Sequence, residues 1–285
     1  MERRVAILTD VHALLEPVEA ILEDVKKRDI TEVYSLGDNI GLGPNPNEVV
    51  SLLSDKKVKS IAGNYEEYEL LGIEPFSWYM TESKIKSRNW TSSVLTKESK
   101  KIISCYPHSI DLVLGGKKIA LCHFANDVRF DYYDNDSWGY VDKLKHNSTG
   151  YKQFLYTNSK EQINDIDNMV KKYGLFDYSM RGYLSSIKEP LFNGNQITMY
   201  DTIIQGHAHW KLCEKTPFGS IYTIRSAGMA YDKDPVDMAS YVILKENENG
   251  FSIEDVLVKY DREKMKYSIL NSTSPDQDIK KYICL

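Results

Sequence analysis

Five short stretches, far apart in the chain but alike in form, constrain its folding more than any other feature. They are Asp10-Val11-His12, Gly37-Asp38-Asn39, Gly63-Asn64-Tyr65-Glu66, Cys122-His123 and Gly206-His207-Ala208-His209. Together they supply two aspartates, four histidines and an asparagine beside turn residues. Carboxylate, imidazole and amide oxygen suit Mn, Fe, Zn or Ni, and the set is what a two-metal hydrolytic site needs. A structural zinc site would draw on thiolates, and Cys105, Cys122, Cys213 and Cys284 form no close pair.

The pattern around these stretches predicts strands that end at them. Val5 to Leu8 is a short apolar run ending at Asp10, Val33 to Leu36 one ending at Gly37-Asp38, and Val58 to Ala62 one ending at Gly63-Asn64. Between them the period changes to that of a helix. Leu14, Val18, Ile21, Leu22 and Val25 recur at helical spacing, with Pro17 in the first turn. Asn45-Pro46-Asn47-Glu48 reads as a cap, a first helical proline and an acidic third position, starting a helix through Val49, Val50, Leu52 and Leu53. Strand and helix in alternation imply right-handed crossovers and a partly parallel sheet covered by helices. In such sheets ligands gather outside the carboxyl ends of the strands, which is where Asp10, Asp38 and Asn64 fall.

Farther along, residues 81–106 read as helical. Gly115-Gly116 marks a hairpin between Ile110 to Leu114 and Lys118 to Cys122. Ile203-Ile204, Ser220 to Ile224 and Ser240 to Leu244 read as further strands. A polar, tyrosine-rich stretch at about 131–200, with one helical segment from Ser159 to Tyr173, reads as an insertion near the site. The expected organisation is one domain over 1–261 carrying that insertion, followed by a C-terminal extension at 262–285.

Length and composition agree. A chain of 285 residues can bury a substantial core. With 42% hydrophobic residues and a net charge of -5 it reads as an ordinary, mildly acidic globular protein with little attraction to duplex DNA. No apolar run approaches the roughly 20 residues that span a bilayer. The short apolar run after Met1-Glu2-Arg3-Arg4 is unlike a signal peptide, and the scattered cysteines suit a reducing compartment, so the expectation is cytoplasmic.

Each pair also has a plainer reading. Asp10 and His12, two apart at a strand end, would leave one face and reach one metal, yet a surface aspartate beside a half-buried histidine looks the same. Asp38 could bridge two cations with its two oxygens, or could be a turn aspartate. His207 and His209 repeat the two-residue spacing, and Gly206 lets the backbone approach closely. Coincidence would have to place every pair at a strand end.

The succession Asp-x-His, Gly-Asp, Gly-Asn, a strand-ending His and Gly-His-x-His resembles the calcineurin-like metallophosphoesterases, and within them the bacterial phosphodiesterase and diadenosine tetraphosphate hydrolase branch. Gly41-Leu42-Gly43-Pro44-Asn45-Pro46-Asn47-Glu48, Trp90-Thr91, Ser226-Ala227-Gly228, Asp234-Pro235 and Ala239-Ser240-Tyr241 look like segments of the same family. The resemblance implies an α/β (α+β) fold, a four-layer sandwich of two mixed β-sheets flanked by helices. It implies one divalent ion held by Asp10, His12, Asp38 and His209 and another by Asp38, Asn64, His123 and His207, with manganese expected ahead of iron, zinc or nickel. The implied activity is hydrolysis of a small, nucleotide-like phosphoester by water activated between the two ions. Asn64 and Tyr65 then stand as candidate catalytic groups, and Arg129 and Arg225 as candidate phosphate contacts. Alternatives are a serine/threonine protein phosphatase and a catalytically silent binding protein of the same fold.

The chain departs from the family pattern in one place that matters for chemistry. Tyr65 stands where many relatives carry a histidine near the leaving group. A phenol, pKa about 10, is a weaker proton donor near neutrality than imidazolium. Leaving groups that need little protonation are therefore the expected substrates.

Overall fold

The computed structural model describes residues 2–73, 81–123, 200–216, 219–229 and 235–275. Its frame starts at β1 (Arg4–Leu8), whose alternation decides both cores. Val5 and Ile7 face one way, into a cluster with Leu121, Ile204, Val242 and Leu244. Ala6 and Leu8 face the other, against Val18, Ile21, Val49 and Leu53. A strand apolar on both faces belongs at the centre of a covered sheet, and β1 lies there. It pairs in parallel with β2 (Glu32–Ser35), which pairs in parallel with β3 (Lys59–Ser60). The crossovers are α1 (Leu15–Lys27) and α2 (Pro46–Asp55), on the amphipathic stripes predicted for them.

On its other side β1 pairs antiparallel with β9 (Met238–Asn247), Val5 opposite Leu244, and β9 with β10 (Gly250–Lys259). The second sheet runs β4 (Ser109–Leu114), β5 (Lys117–Cys122), β6 (Thr202–Gln205), β8 (Gly219–Thr223) and β7 (Leu212–Thr216), with β5, β6 and β8 mutually parallel. Both sheets are mixed, they stack on Ile7, Leu36, Leu121 and Ile204, and helices flank them. The expected α/β sandwich is what the chain forms. Among the described residues no helix is long and apolar enough to cross a membrane.

Several elements differ from expectation. The helical stretch at 81–106 is two helices, α4 (Glu82–Val94) and α5 (Lys97–Ile103). Leu95 ends the first, and Thr96 caps the second by accepting from the Ser99 N–H. Asn47 secures that break, donating to the Val94 carbonyl at 2.9 Å and accepting from the Thr96 N–H at 2.8 Å. Asn45 does stand at the N-cap of α2, but its side chain makes no capping bond, and Pro46 alone marks the start. The loop after β3 turns at once into α3 (Asn64–Leu71), so Asn64 opens a helix.

The segment from 262 onward, expected as an extension, begins with α6 (Arg262–Leu270), capped by Asp261. Its Met265 and Ile269 are buried in the same core as Val18 and Ile21 of α1. The insertion at about 131–200, with its segment Ser159 to Tyr173, lies outside the described residues. If α6 belongs to the core, Met265→Ala will lower unfolding free energy in urea melts by about 2–4 kcal/mol. Tyr267→Ala, on the exposed face, will change it by no more than about 0.5 kcal/mol. Equally small effects would make α6 an appendage.

Candidate metal centre

The carboxyl ends of β1, β2, β3, β5 and β6 meet at one edge of the sandwich, and each delivers one of the predicted stretches. The strands stop there because the backbone leaves the β region. Asp10, His12 and Asp38 have φ of 50°, 50° and 53°, and His207 and His209 have 69° and 66°. Asp10 and His12 therefore reach one place from a left-handed loop rather than by strand alternation. That conformation is costly for residues with a Cβ, of order 1–3 kcal/mol each. What holds it is a backbone zipper between two loops. Asp10 N–H bonds the Gly37 carbonyl at 3.0 Å, His12 N–H that of Asp38 at 2.8 Å and Ala13 N–H that of Asn39 at 2.9 Å.

Each aspartate uses one oxygen to anchor itself and turns the other inward. Asp10 Oδ2 accepts from the Thr9 hydroxyl and from the His207 N–H, both at 2.8 Å. Asp38 Oδ1 accepts from the Tyr65 N–H at 2.8 Å. Asp10 Oδ1 then stands 3.8 Å from His12 Nε2 and 3.4 Å from His209 Nε2, while those two nitrogens are 2.9 Å apart. Across from them, His123 Nε2 lies 3.1 Å from Asn64 Oδ1, 3.0 Å from His207 Nδ1 and 3.5 Å from Asp38 Oδ2. Asp38 Oδ2 also faces His12 Nε2 at 4.0 Å. Its place between the two groups rests on a single oxygen, because Oδ1 is already engaged.

Two triads thus form, Asp10/His12/His209 and Asp38/His123/His207, with the Asn64 amide oxygen beside the second. Asp10 Oδ1 is buried and has no hydrogen-bond partner among the described residues, a costly state unless a cation takes it up. The donors, all oxygen and imidazole nitrogen, fit a divalent ion in each triad. Protonation states agree. Burial and the neighbouring His209 hold His12 down to about 4, leaving a neutral imidazole. Burial by itself would raise the Asp10 and Asp38 carboxyls, but the surrounding histidines outweigh it and hold both below the usual range, ionised. His123 Nδ1 lies 2.7 Å from the Leu36 carbonyl, to which it donates, and that turns Nε2 toward the centre.

The residue that sequence reasoning missed is Glu66. Fully buried, it accepts from the backbone N–H of Asp38 at 2.9 Å, Asn39 at 2.8 Å and Gly63 at 2.9 Å. One carboxylate thereby clamps the Asp38 loop to the Asn64 loop. Burial and the Asp38 charge push its own carboxyl up to about 7. Its signal was present as a glutamate three residues into a helix that follows Gly63.

The other predicted residues fall as follows. Tyr65 is half-buried, its ring edge-on to His12 with centroids 5.1 Å apart. Arg225 engages Asp255 at 3.5 Å, and Lys211 pairs with the same carboxylate. Arg129 lies outside the described residues. Glu66→Gln would set an amide NH2 against backbone N–H groups. It is expected to weaken Mn binding, read by calorimetric titration, about 10- to 100-fold while Asp38 itself is untouched. Unchanged affinity would remove Glu66 from the centre.

Residues 4–149 match the family model described as the calcineurin-like phosphoesterase superfamily domain. A relative from Methanocaldococcus jannaschii, the uncharacterized protein MJ0912, is 27% identical over 279 residues, covering 95% of this chain and 94% of its own. Among solved structures, the hypothetical protein PH1004 from Pyrococcus horikoshii superposes with a TM-score of 0.65 at 14% identity, covering 98% of this chain and 97% of that one. A metallophosphoesterase from Sphaerobacter thermophilus superposes with a TM-score of 0.59 at 16% identity, covering 100% and 99%. At such identities the two superpositions speak for the fold. The family model, spanning more than half of the chain, decides the relationship: this protein belongs to the calcineurin-like phosphoesterase superfamily.

Proposed function

We propose that the protein hydrolyses small, nucleotide-like phosphoesters with two divalent cations, manganese ahead of iron, zinc or nickel. The observation that carries this reading is the single inward oxygen of Asp38, which faces a histidine of each triad. Asp10, His12, Asp38 and His209 would hold one ion, and Asp38, Asn64, His123 and His207 the other. When bound, such a pair neutralises phosphoryl charge and lowers the pKa of a water to be used in line with the leaving group.

The residues themselves supply position and charge. His12 and His123 are buried, whereas His207 and His209 are partly exposed, so substrate enters on the side of the Gly206-His209 loop. A neutral His12 and the ionised Asp10 and Asp38 need no proton release of their own to bind cations at neutral pH. Tyr65 stands beside Asn64 and against His12, where a histidine would otherwise offer a proton to the leaving group. A phenol offers it poorly, which favours polyphosphates and activated diesters over alkyl monoesters. Arg225 would have to leave Asp255 to meet a phosphate. The mild acidity and scattered cysteines support a cytoplasmic enzyme of small substrates rather than of duplex nucleic acid.

The test is hydrolysis of bis(p-nitrophenyl) phosphate and p-nitrophenyl phosphate by Mn-reconstituted protein, wild type beside Asp38→Asn. The expected result is metal-dependent turnover that prefers the diester and falls at least about 100-fold in the variant. Undiminished turnover by Asp38→Asn would contradict the shared-carboxylate centre. An alkyl phosphomonoester turned over as fast as the aryl diester would contradict the reading of Tyr65, because only the alkoxide leaving group needs a proton.

A further inference from the structure

Around Tyr65 the structure is more constrained than a packing residue needs. Behind the ring is Gly41, at φ 82°, where a Cβ would lie 1.9 Å from Tyr65 Cδ1. Beside it is His12, edge-on at 5.1 Å, and farther along α3 is Tyr68, edge-on at 5.7 Å. Over it, from the neighbouring α4, comes Arg88, whose guanidinium carbon is 4.9 Å from the Tyr65 centroid and 4.5 Å from that of Tyr68. Arg88 is itself buried and its Nη1 donates to the Lys84 carbonyl at 3.1 Å, which fixes the guanidinium from its own helix. The pocket left among Ile40, Tyr65, Tyr68, Glu69, Arg88 and Thr91 is about 10 Å³, room for about one water.

We propose that Arg88 is a positioning residue for substrate selection: by stacking on Tyr65 and Tyr68 it holds the Tyr65 ring against His12 as a fixed wall beside the metal centre, and that wall discriminates diester from monoester. This rests on the hydrolase reading above. Arg88 acts through Tyr65 and touches no assigned ligand. Its extended guanidinium lies within reach of both rings at once, a contact that the compact ammonium of a lysine does not reproduce. A wall held this way presents the same aromatic surface to each substrate. If the clamp is lost, the ring is free to turn about its side-chain torsions, and the space beside the Asp10/His12/His209 triad changes from one molecule to the next.

The experiment is a double-mutant cycle on Mn-loaded protein, with kcat and KM measured separately for bis(p-nitrophenyl) phosphate and p-nitrophenyl phosphate. The variants are Arg88→Met, Arg88→Lys, Tyr65→Ala and the double variant Arg88→Met/Tyr65→Ala, with bound Mn and melting temperature recorded for each. In Arg88→Met the diester-to-monoester ratio of kcat/KM is expected to fall about fivefold or more with Mn content unchanged. Arg88→Lys, which keeps the charge and the fold, is expected to behave alike. In the Tyr65→Ala background Arg88→Met is expected to change the ratio no further. Equal ratios in wild type and both single Arg88 variants, or effects that add across the cycle, would overturn the positioning role while leaving the hydrolase reading intact. Absence of Mn-dependent turnover by wild type would overturn both.

Discussion

The rest of the centre depends on how two buried carboxylates divide their oxygens. Asp10 gives Oδ2 to the His207 N–H and the Thr9 hydroxyl, and Asp38 gives Oδ1 to the Tyr65 N–H. The His207 and Tyr65 bonds each join an aspartate to a distant part of the chain, so the contacts that orient the carboxylates also bring the loops together. The second oxygen of each is left among imidazole nitrogens at 3.4 to 4.0 Å. An ionised carboxylate so deeply buried is stable only beside compensating charge, and a divalent ion in each triad would provide it.

From this follows the local backbone. The loops must approach more closely than side chains ordinarily allow, and Gly63 and Gly206 are among the positions where that requires glycine. A Cβ on Gly63 would lie 2.3 Å from Asp38 Oδ1, and one on Gly206 would lie 1.9 Å from Thr9 Oγ1 and 2.6 Å from Asp10 Oδ2. Left-handed φ at five of the ligands adds strain, which the sandwich supports by packing Val5 and Ile7 of β1 against the second sheet and Ala6 and Leu8 against the helices. Ser226 completes the support, donating from Oγ to the Asp10 carbonyl at 2.7 Å. Strained loops at the ends of well-packed strands are where functional groups are often placed.

Much of this was legible in the amino-acid sequence, because short apolar runs ending in Asp, Asn or His mark both a strand and what it delivers. The apolar run that placed β1, the stripe on α1 and the paired histidines at 207 and 209 all carried through to the fold. The rest was hidden for physical reasons. The two-residue spacing of Asp10 and His12 looked like strand alternation, whereas the backbone there is left-handed, a state the residue types do not announce. Glu66 read as an ordinary acidic helix residue, since its three backbone partners come together only when two loops meet. β10 was missed because Glu254 and Asp255 interrupt its alternation, although Asn249-Gly250 is a hairpin signal. Arg88 gave no sign at all, because its meaning depends on α4 packing over Tyr65 and Tyr68.

The central claim is that Asp38 Oδ2 joins two cation sites into one centre. Electron paramagnetic resonance of the Mn-loaded protein tests it most directly, because two manganese ions bridged by one oxygen are magnetically coupled and isolated ions are not. The account predicts two manganese ions per chain and an exchange-coupled spectrum that gives way to an isolated six-line signal in Asp38→Asn. A single manganese ion per chain, or two giving only the isolated signal in the wild type, would contradict it.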